Sequence, residues 1–392
     1  MKLLGRSISF SSPKYADFII FDETNSDIIF QVIPETYSTS VFRTRPVQLS
    51  ITIEIILYFL KYLKDIRIFK KFNSNKSFIR NILWQLLCIY IKSYIHAVKP
   101  KVVISSIDNC TKFAWLSKNI SEIPFIAVQN GFRLSYDVDP ESIYHCQHLF
   151  CFGKFEVEKF PQRNWIVNNF YPVGSLNASL NFEKKHKSDK DKYDFLIVSC
   201  WRGNIGFTED VRDSMEAMRL FDEDFSNYLK KRNLRAGVIM RSERDSDQWF
   251  MQEIGMNEEE YYKSIYNDQI EIIDTNFTER NIYKEILRSK IIISGFSTTV
   301  LLEALGVKKK ILYCNYTFKD IYHIDFEQDI VFDKDENNSL SVELDKLLQV
   351  PESDYEKNLS KLMTYYQSFN SEISTRDIIR DKINQLIKSY EV

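Results

Sequence analysis

The chain has 392 residues, a formal net charge of −2 and 27% charged side chains. That length exceeds one ordinary hydrophobic core, so two domains are the default. The near-neutral balance gives no whole-chain basis for binding nucleic acid, and six cysteines scattered without a CxxC pair suit a reducing compartment.

The N-terminus shows no signal-peptide core, so a cytoplasmic location is expected. Ala16 to Phe21 is a mostly apolar strand that ends in Asp22 and Glu23, with Asn25 or Ser26 placed to cap a short helix. Helices follow near 50–66 and 78–97. The apolar stretch Ile51 to Leu60 contains Glu54 and is too short to span a bilayer, and Gln85 and Lys92 interrupt the second helix. The basic run from Arg67 to Lys76, with Trp84 and Tyr90 beyond it, leaves room for peripheral contact with an anionic membrane at its inner face. A solvated loop is the preferred reading.

Pro100 precedes the strand Val102 to Ser105, after which Asp108 or Asn109 caps a helix. Pro124 opens the strand Phe125 to Val128, and Leu149 to Phe152 is a further strand. His145, Cys146, His148 and Cys151 could tempt a metal reading. A strand with flanking loop residues explains them more simply, and no metal or cofactor is expected. The alternation indicates an α/β domain with a mostly parallel sheet covered on both faces.

The charged, aperiodic stretch 179–193 reads as a linker. It separates an N-terminal domain, 1–180, from a C-terminal domain, 194–392. The terminal helices are grouped with the second domain, although bracing the first would also suit them. Strands recur at Phe195 to Ser199, Gly237 to Met240, Ile270 to Ile273, Ile291 to Ile293, Ile311 to Cys314 and Ile330 to Phe332. Glu209 to Arg232 is largely helical.

The richest stretch is SKIIISGFSTTVLLEALGVKKKILYCN, residues 289–315. A strand ends at Gly295, Ser297, Thr298 and Thr299 come next, and an apolar helix carrying Glu303 runs to Gly306. A strand, a hydroxyl-rich turn and a helix N-terminus make a natural phosphate site; the competing reading is that Ser297 only caps the helix. Ligands of such sheets sit at the C-terminal strand ends. Ser199 and Arg202 close one strand and Arg241 another, and guanidinium groups pair with phosphate in a fork. Trp201 beside them suits either packing or covering a base or sugar.

In order along the chain, IIFDETNSD (19–27), IPFIAVQNG (123–131), HLFCFG (148–153), YPVGS (171–175) and GFSTTVLLEALG (295–306) resemble the bacterial surface-carbohydrate glycosyltransferases of the GT-B fold, of capsule and O-antigen type. The resemblance implies two Rossmann-like domains facing across a cleft. It implies a nucleotide-sugar donor, with a leaning toward CMP- or CDP-linked sugars, and a glycan or lipid-linked acceptor. It implies that Ser297, Thr298 and Thr299 hold donor phosphates and that Glu303 touches the donor ribose or sugar. Glu303 as a surface helix residue is the competing reading. Many relatives have histidine where this chain has Asn130, and often one near Arg241, so donor identity and catalytic base do not carry over.

An inverting transferase needs a carboxylate base near the acceptor hydroxyl. Asp108, at a strand end, is preferred, and Glu23 is the runner-up; Asp137 and Asp139, beside Pro140, look like a loop. Asp245 and Asp247 have the spacing of a metal-binding pair but lie in a charged run that reads as a solvated loop. Two other classes fit the same outline. One is a sugar-nucleotide epimerase acting on a free nucleotide sugar. The other is a non-catalytic subunit of a polysaccharide assembly complex.

Overall fold

The computed structural model describes residues 2–3, 6–44, 49–66, 78–133, 142–183, 191–201, 209–241, 255–273, 282–296, 298–319, 330–335, 337–370 and 372–390. The basic run from Arg67 to Lys76 lies outside them, as does 184–190 of the charged stretch. The chain forms two compact units. Met1–Gly131, Asp137–Ser179 and Phe369–Val392 make the first, Phe132–Tyr136 and Leu180–Ser368 the second.

The first half of the chain contains β1 (Lys2–Leu3), β2 (Arg6–Ser9), β3 (Phe18–Phe21), α1 (Ser26–Phe30), β4 (Thr39–Phe42), β5 (Leu49–Ser50), α2 (Ile53–Tyr62), α3 (Phe78–Val98), β6 (Val102–Ser105), α4 (Thr111–Asn119), β7 (Phe125–Val128), β8 (Tyr144–Cys151), α5 (Lys154–Lys159), β9 (Trp165–Pro172) and α6 (Leu176–Phe182). Six of its strands form one sheet in the order β4-β3-β6-β7-β8-β9, every pair parallel. β1, β2 and β5 form a small separate sheet.

Parallel strands need helices on both faces, and the side chains answer that need. Ile19, Phe21, Val103, Phe125 and Ala127 join one core cluster with Cys88, Ile91 and Ile95 of α3. The alternate residues Phe18, Ile20, Val102, Ile104 and Ile126 are also fully buried. β6 and β7 match the sequence reading residue for residue. β4 and β9 escape it because they are the two edges of the sheet, where half-exposed polar residues such as Asn168 and Asn169 break the apolar run.

The second half contains β10 (Tyr193–Val198), α7 (Glu209–Lys230), β11 (Ala236–Ile239), α8 (Glu258–Tyr266), β12 (Ile270–Ile273), α9 (Ile282–Leu287), β13 (Ser289–Ser294), α10 (Thr299–Gly306), β14 (Lys310–Asn315), β15 (Val331–Asp333), α11 (Leu340–Gln349), α12 (Glu352–Tyr366) and α13 (Thr375–Tyr390). Its sheet has the order β12-β11-β10-β13-β14-β15, again all parallel. Counted within the unit this is 3-2-1-4-5-6, the Rossmann order, with its reversal between β10 and β13. Two Rossmann-like units, each a parallel sheet flanked by helices, are thus present as expected.

The last helix belongs to the first unit. Thr375 donates to the Val173 carbonyl at 2.7 Å, and Arg380 donates to the Gln31 carbonyl at 2.8 Å. The chain arrives there across Gly174, whose φ is +82° and whose missing Cβ would lie 2.4 Å from the Phe369 ring. Only glycine meets both conditions at ease. Gly174→Ala is therefore expected to destabilise the protein by roughly 1–3 kcal/mol, read as a lower midpoint in urea unfolding.

Candidate functional site

β11, β10 and β13 are neighbours in the second sheet, so their C-terminal ends bring three separate sequence segments together. Ser199 follows β10, Arg241 follows β11, and Gly295 follows β13. These are the strand ends beside the reversal of strand order, where such sheets open a crevice for ligands.

The ends are tied by hydrogen bonds. Ser294 Oγ lies 2.9 Å from the Val198 carbonyl and 2.7 Å from that of Phe296, and the Cys200 thiol lies 3.3 Å from the Phe296 carbonyl. The Arg241 guanidinium donates through Nη1 to the Trp201 carbonyl at 3.1 Å, which bridges the β11 and β10 ends. Its backbone N–H donates to Oε1 of the fully buried Glu258 at 2.9 Å. Glu258 opens α8, and α8 is held to α7 by Asp222, which accepts from Tyr261 at 2.9 Å and Tyr266 at 2.7 Å. Burial pushes the Asp222 carboxyl up to about 7, against the pull of those two hydroxyls.

Each expected donor-side residue can now be placed. Ser199 is buried, and its hydroxyl accepts from the Trp201 N–H at 3.1 Å, so it shapes the turn. Trp201 has no exposed surface and packs with its ring tilted against Tyr261, centroids 5.4 Å apart, which makes it a packing residue rather than a cover for a base. Gly295 is required by α7, since a Cβ there would lie 2.8 Å from Phe221. Thr298 is the helix cap, accepting from the Leu301 N–H at 3.2 Å. Thr299 accepts from the Phe132 N–H at 3.0 Å. A hydroxyl that accepts can still donate, so these bonds leave the O–H groups chemically competent toward an anion. Glu303 is buried and accepts from the Tyr283 hydroxyl at 2.9 Å, which overturns its reading as a surface residue. Arg202, Ser297, and the pair Asp245 and Asp247 lie outside the described residues, as do Asp137 and Asp139.

In the first sheet the order β4-β3-β6 reverses direction between β3 and β6, and both carboxylate candidates come directly after those strands. Ser105 donates to the Phe21 carbonyl at 2.9 Å and Ser106 to the Thr24 carbonyl at 2.6 Å, which holds the two strand ends together. Glu23 accepts from the Thr44 N–H at 2.9 Å, and its neighbour Asp22 takes a left-handed φ of 80°. Asp108 is buried but is not the helix cap, because α4 starts at Thr111 with Cys110 in the cap position.

One buried carboxylate that feels the charge of Asp108 is absent from the sequence reading. Glu156 on α5 is fully buried and accepts from the Gly153 N–H at 2.8 Å and from Gln129 Nε2 at 3.1 Å. Gln129 also accepts from the Phe152 N–H at 2.9 Å, so this network joins the ends of β7 and β8. Burial pushes the Glu156 carboxyl up to about 7; the Gly153 and Gln129 bonds pull it down, and the charge of Asp108 adds to the rise. The signal in the sequence is the spacing from Gly153 to Glu156, a glycine at a helix start with a glutamate three residues on. On β8 itself, His145 pairs with Ser117 at 3.0 Å and His148 with Tyr171 at 3.2 Å, so these side chains serve separate contacts. Among the described residues no group of three His, Cys, Asp or Glu side chains is gathered to hold a metal ion.

No family model matches the chain, and no curated protein matches it in sequence. Its structure is similar to that of a UDP-GlcNAc 2-epimerase from Neisseria meningitidis bound to UDP-GlcNAc. The TM-score is 0.50 and the identity 12%, over 97% of this chain and 100% of that one. A UGT transferase from Siraitia grosvenorii in complex with UDP aligns with a TM-score of 0.47 and 8% identity over 95% and 99%. A glycosyltransferase from Rickettsia africae aligns at 0.46 and 12% over 96% and 98%. The epimerase match is one of fold, and the fold is GT-B-like.

The raised Glu156 carboxyl has a direct consequence for stability. Its folded value of about 7 exceeds the ordinary carboxylate value, so the folded state holds the proton more tightly. Its contribution is fully present at acid pH and is lost as pH rises from about 4 to about 7. Glu156→Gln is expected to narrow the difference in unfolding free energy between pH 5 and pH 8 by about 2–3 kcal/mol. Urea titrations of both proteins at the two pH values measure it. An unchanged difference would mean that Glu156 is ionised in the folded state.

Proposed function

We propose that the chain is a glycosyltransferase that moves a sugar from a nucleotide-activated donor to a glycan or lipid-linked acceptor of a bacterial surface polysaccharide. The observation that supports this best is the convergence of Arg241, the turn after β13 and the N-terminus of α10 beside the strand-order reversal of the second sheet. Backbone N–H groups at a helix start and a guanidinium suit a phosphate. In this reading Arg241, Thr298 and Thr299 hold the donor phosphates, joined by Arg202 and Ser297. Ser199 and Gly295 shape the strand-end turns, and Glu303 contacts the donor ribose or sugar while bonded to Tyr283.

The acceptor oxygen attacks the anomeric carbon, the bond from that carbon to the phosphate oxygen breaks, and the nucleotide leaves with the bonding electrons. Negative charge grows on the phosphate, where the N–H donors and Arg241 stabilise it. The acceptor proton passes to a carboxylate, Asp108 in preference to Glu23. Phosphate charge can be carried by these groups without a metal. The leaning toward a cytidine nucleotide and a capsule or O-antigen product comes from the sequence resemblance. A lipid-linked acceptor would place the work at the inner face of a membrane.

Epimerisation of a free nucleotide sugar is the second reading. It uses the same donor site and also needs carboxylates to carry protons, which Glu23 and Asp108 supply. Product analysis with and without an acceptor separates the two.

Three outcomes test the proposal. In a thermal-shift panel of UDP, GDP, CDP and CMP, at least one nucleotide should stabilise the protein by about 2.7 kcal/mol at a hundred times its Kd. Arg241→Ala should abolish that response, and silence across the whole panel would remove the donor site. Asp108→Asn should lower kcat by roughly 10²–10⁴ with donor affinity nearly unchanged. If Glu23→Gln alone is inactive, the runner-up is the base; if both folded variants turn over normally, neither carboxylate is. Transfer should persist in EDTA, and a complete loss reversed by added metal would point to Asp245 and Asp247.

A further inference from the structure

The first unit carries an apolar surface that plays no part in the chemistry above. Thr52 caps α2, and the helix buries Ile55 and Tyr62 toward α3, where the Tyr62 ring packs tilted against His96, centroids 5.1 Å apart. The opposite side of α2 is apolar as well. Ile53, Leu57 and Leu60 are 79%, 62% and 58% exposed, and Ile56 is exposed beside them. Their spacing of three, four and seven residues makes one stripe along the helix. The stripe continues past the helix start. The Ile51 N–H donates to the Ser9 carbonyl at 2.8 Å, which sets the exposed Ile51 next to Phe10, itself 63% exposed. Scattered single exposures are ordinary, but a contiguous apolar face marks an interaction site.

Charge at the border of the stripe indicates the occupant. Lys61 and Lys64 are exposed where the stripe ends. The carboxylates nearby already have cationic partners: Asp65 accepts from Lys92 at 3.0 Å, and Glu54 lies 3.9 Å from Lys99. By sequence, the twenty residues from Lys61 to Arg80 hold seven Lys or Arg and one carboxylate. α3 begins in the same style, with exposed Phe78 and Ile79 beside exposed Arg80. An aliphatic stripe bordered by cations is the composition of a helix that lies in the interface of an anionic bilayer. Among the described residues no helix is long and apolar enough to cross a membrane, which leaves surface docking.

We propose that α2, together with Phe10 and Ile51, docks this unit on an anionic lipid bilayer. Ile53, Leu57 and Leu60 enter the boundary of the acyl chains, and Lys61 and Lys64 lie among the headgroup phosphates. This stands whether or not the chain turns over a nucleotide sugar, because no donor-side or carboxylate candidate is part of the face.

Flotation of the full chain with vesicles of phosphatidylcholine, with and without phosphatidylglycerol, tests it. Binding should favour the anionic vesicles by on the order of tenfold or more and should weaken as salt rises. The triple variant Ile53→Gln, Leu57→Gln, Leu60→Gln should lose at least about tenfold in binding, with its melting temperature and nucleotide response retained. Lys61→Glu with Lys64→Glu changes only exposed positions and should remove the preference for anionic lipid. Equal recovery with neutral and anionic vesicles, no flotation at all, or full binding by both variants would overturn the proposal. So would self-association in sedimentation velocity that the triple variant abolishes, since the occupant would then be a second copy.

Discussion

A parallel strand buried on both faces can offer chemistry only at its ends. In both sheets the strand residues point into apolar layers on either side, from Phe18 to Phe21 in the first and from Ile291 to Ile293 in the second. Any polar group along those strands would lose its water without gaining a partner. The last strand residue and the few after it are the first positions where serine, arginine or a carboxylate can be held. The location of the candidate residues is therefore a consequence of sheet construction before it is a matter of catalysis.

Holding such groups requires buried acceptors, and the fold uses carboxylates. Glu258 receives the Arg241 N–H, Glu156 receives the Gly153 N–H, and Asp222 receives two tyrosine hydroxyls. An ionised carboxylate loses much solvation when buried, which is why Glu156 and Asp222 are pushed up to about 7. The benefit is geometric. Glu258 and Glu156 each fix a strand end or the start of a helix, so the position of Arg241 is set by a partner deeper in the protein. Substitutions at these buried acids act on the site through position, and their effects on stability and on turnover have the same origin.

The sequence made the interior strands legible because burial on both faces demands an unbroken apolar run. Val102 to Ser105 and Phe125 to Val128 needed no other information. β4 and β9 lacked that demand on their outer sides and carried no run to read. The site was legible by chain position and less so by role. Arg241 and Gly295 stand at strand ends as expected, yet the glycine is dictated by Phe221, a contact more than seventy residues away in sequence. Asp108 could be read as a cap as well as a base because an acid directly before a helix often caps it, but α4 begins later, at Thr111. The competing reading of Glu303 as a surface residue was open because it is the one charged side chain on an otherwise apolar helix. Tyr283 on α9 supplies a partner that periodicity cannot reveal.

The two sheets solve the same construction problem with different strand orders, and the difference sorts their chemistry. The second unit reverses at its first and fourth strands, and the groups gathered there are mostly donors: a guanidinium, two threonine hydroxyls and the open start of α10. The first unit reverses at β3 and β6, and the residues just past those strands are rich in acceptors: Asp22, Glu23 and Asp108. Donors stabilise negative charge as it develops, and carboxylates receive protons. A reaction that expels an anionic leaving group while shedding a proton needs both sets. Transfer from an activated phosphate, as proposed above, is such a reaction.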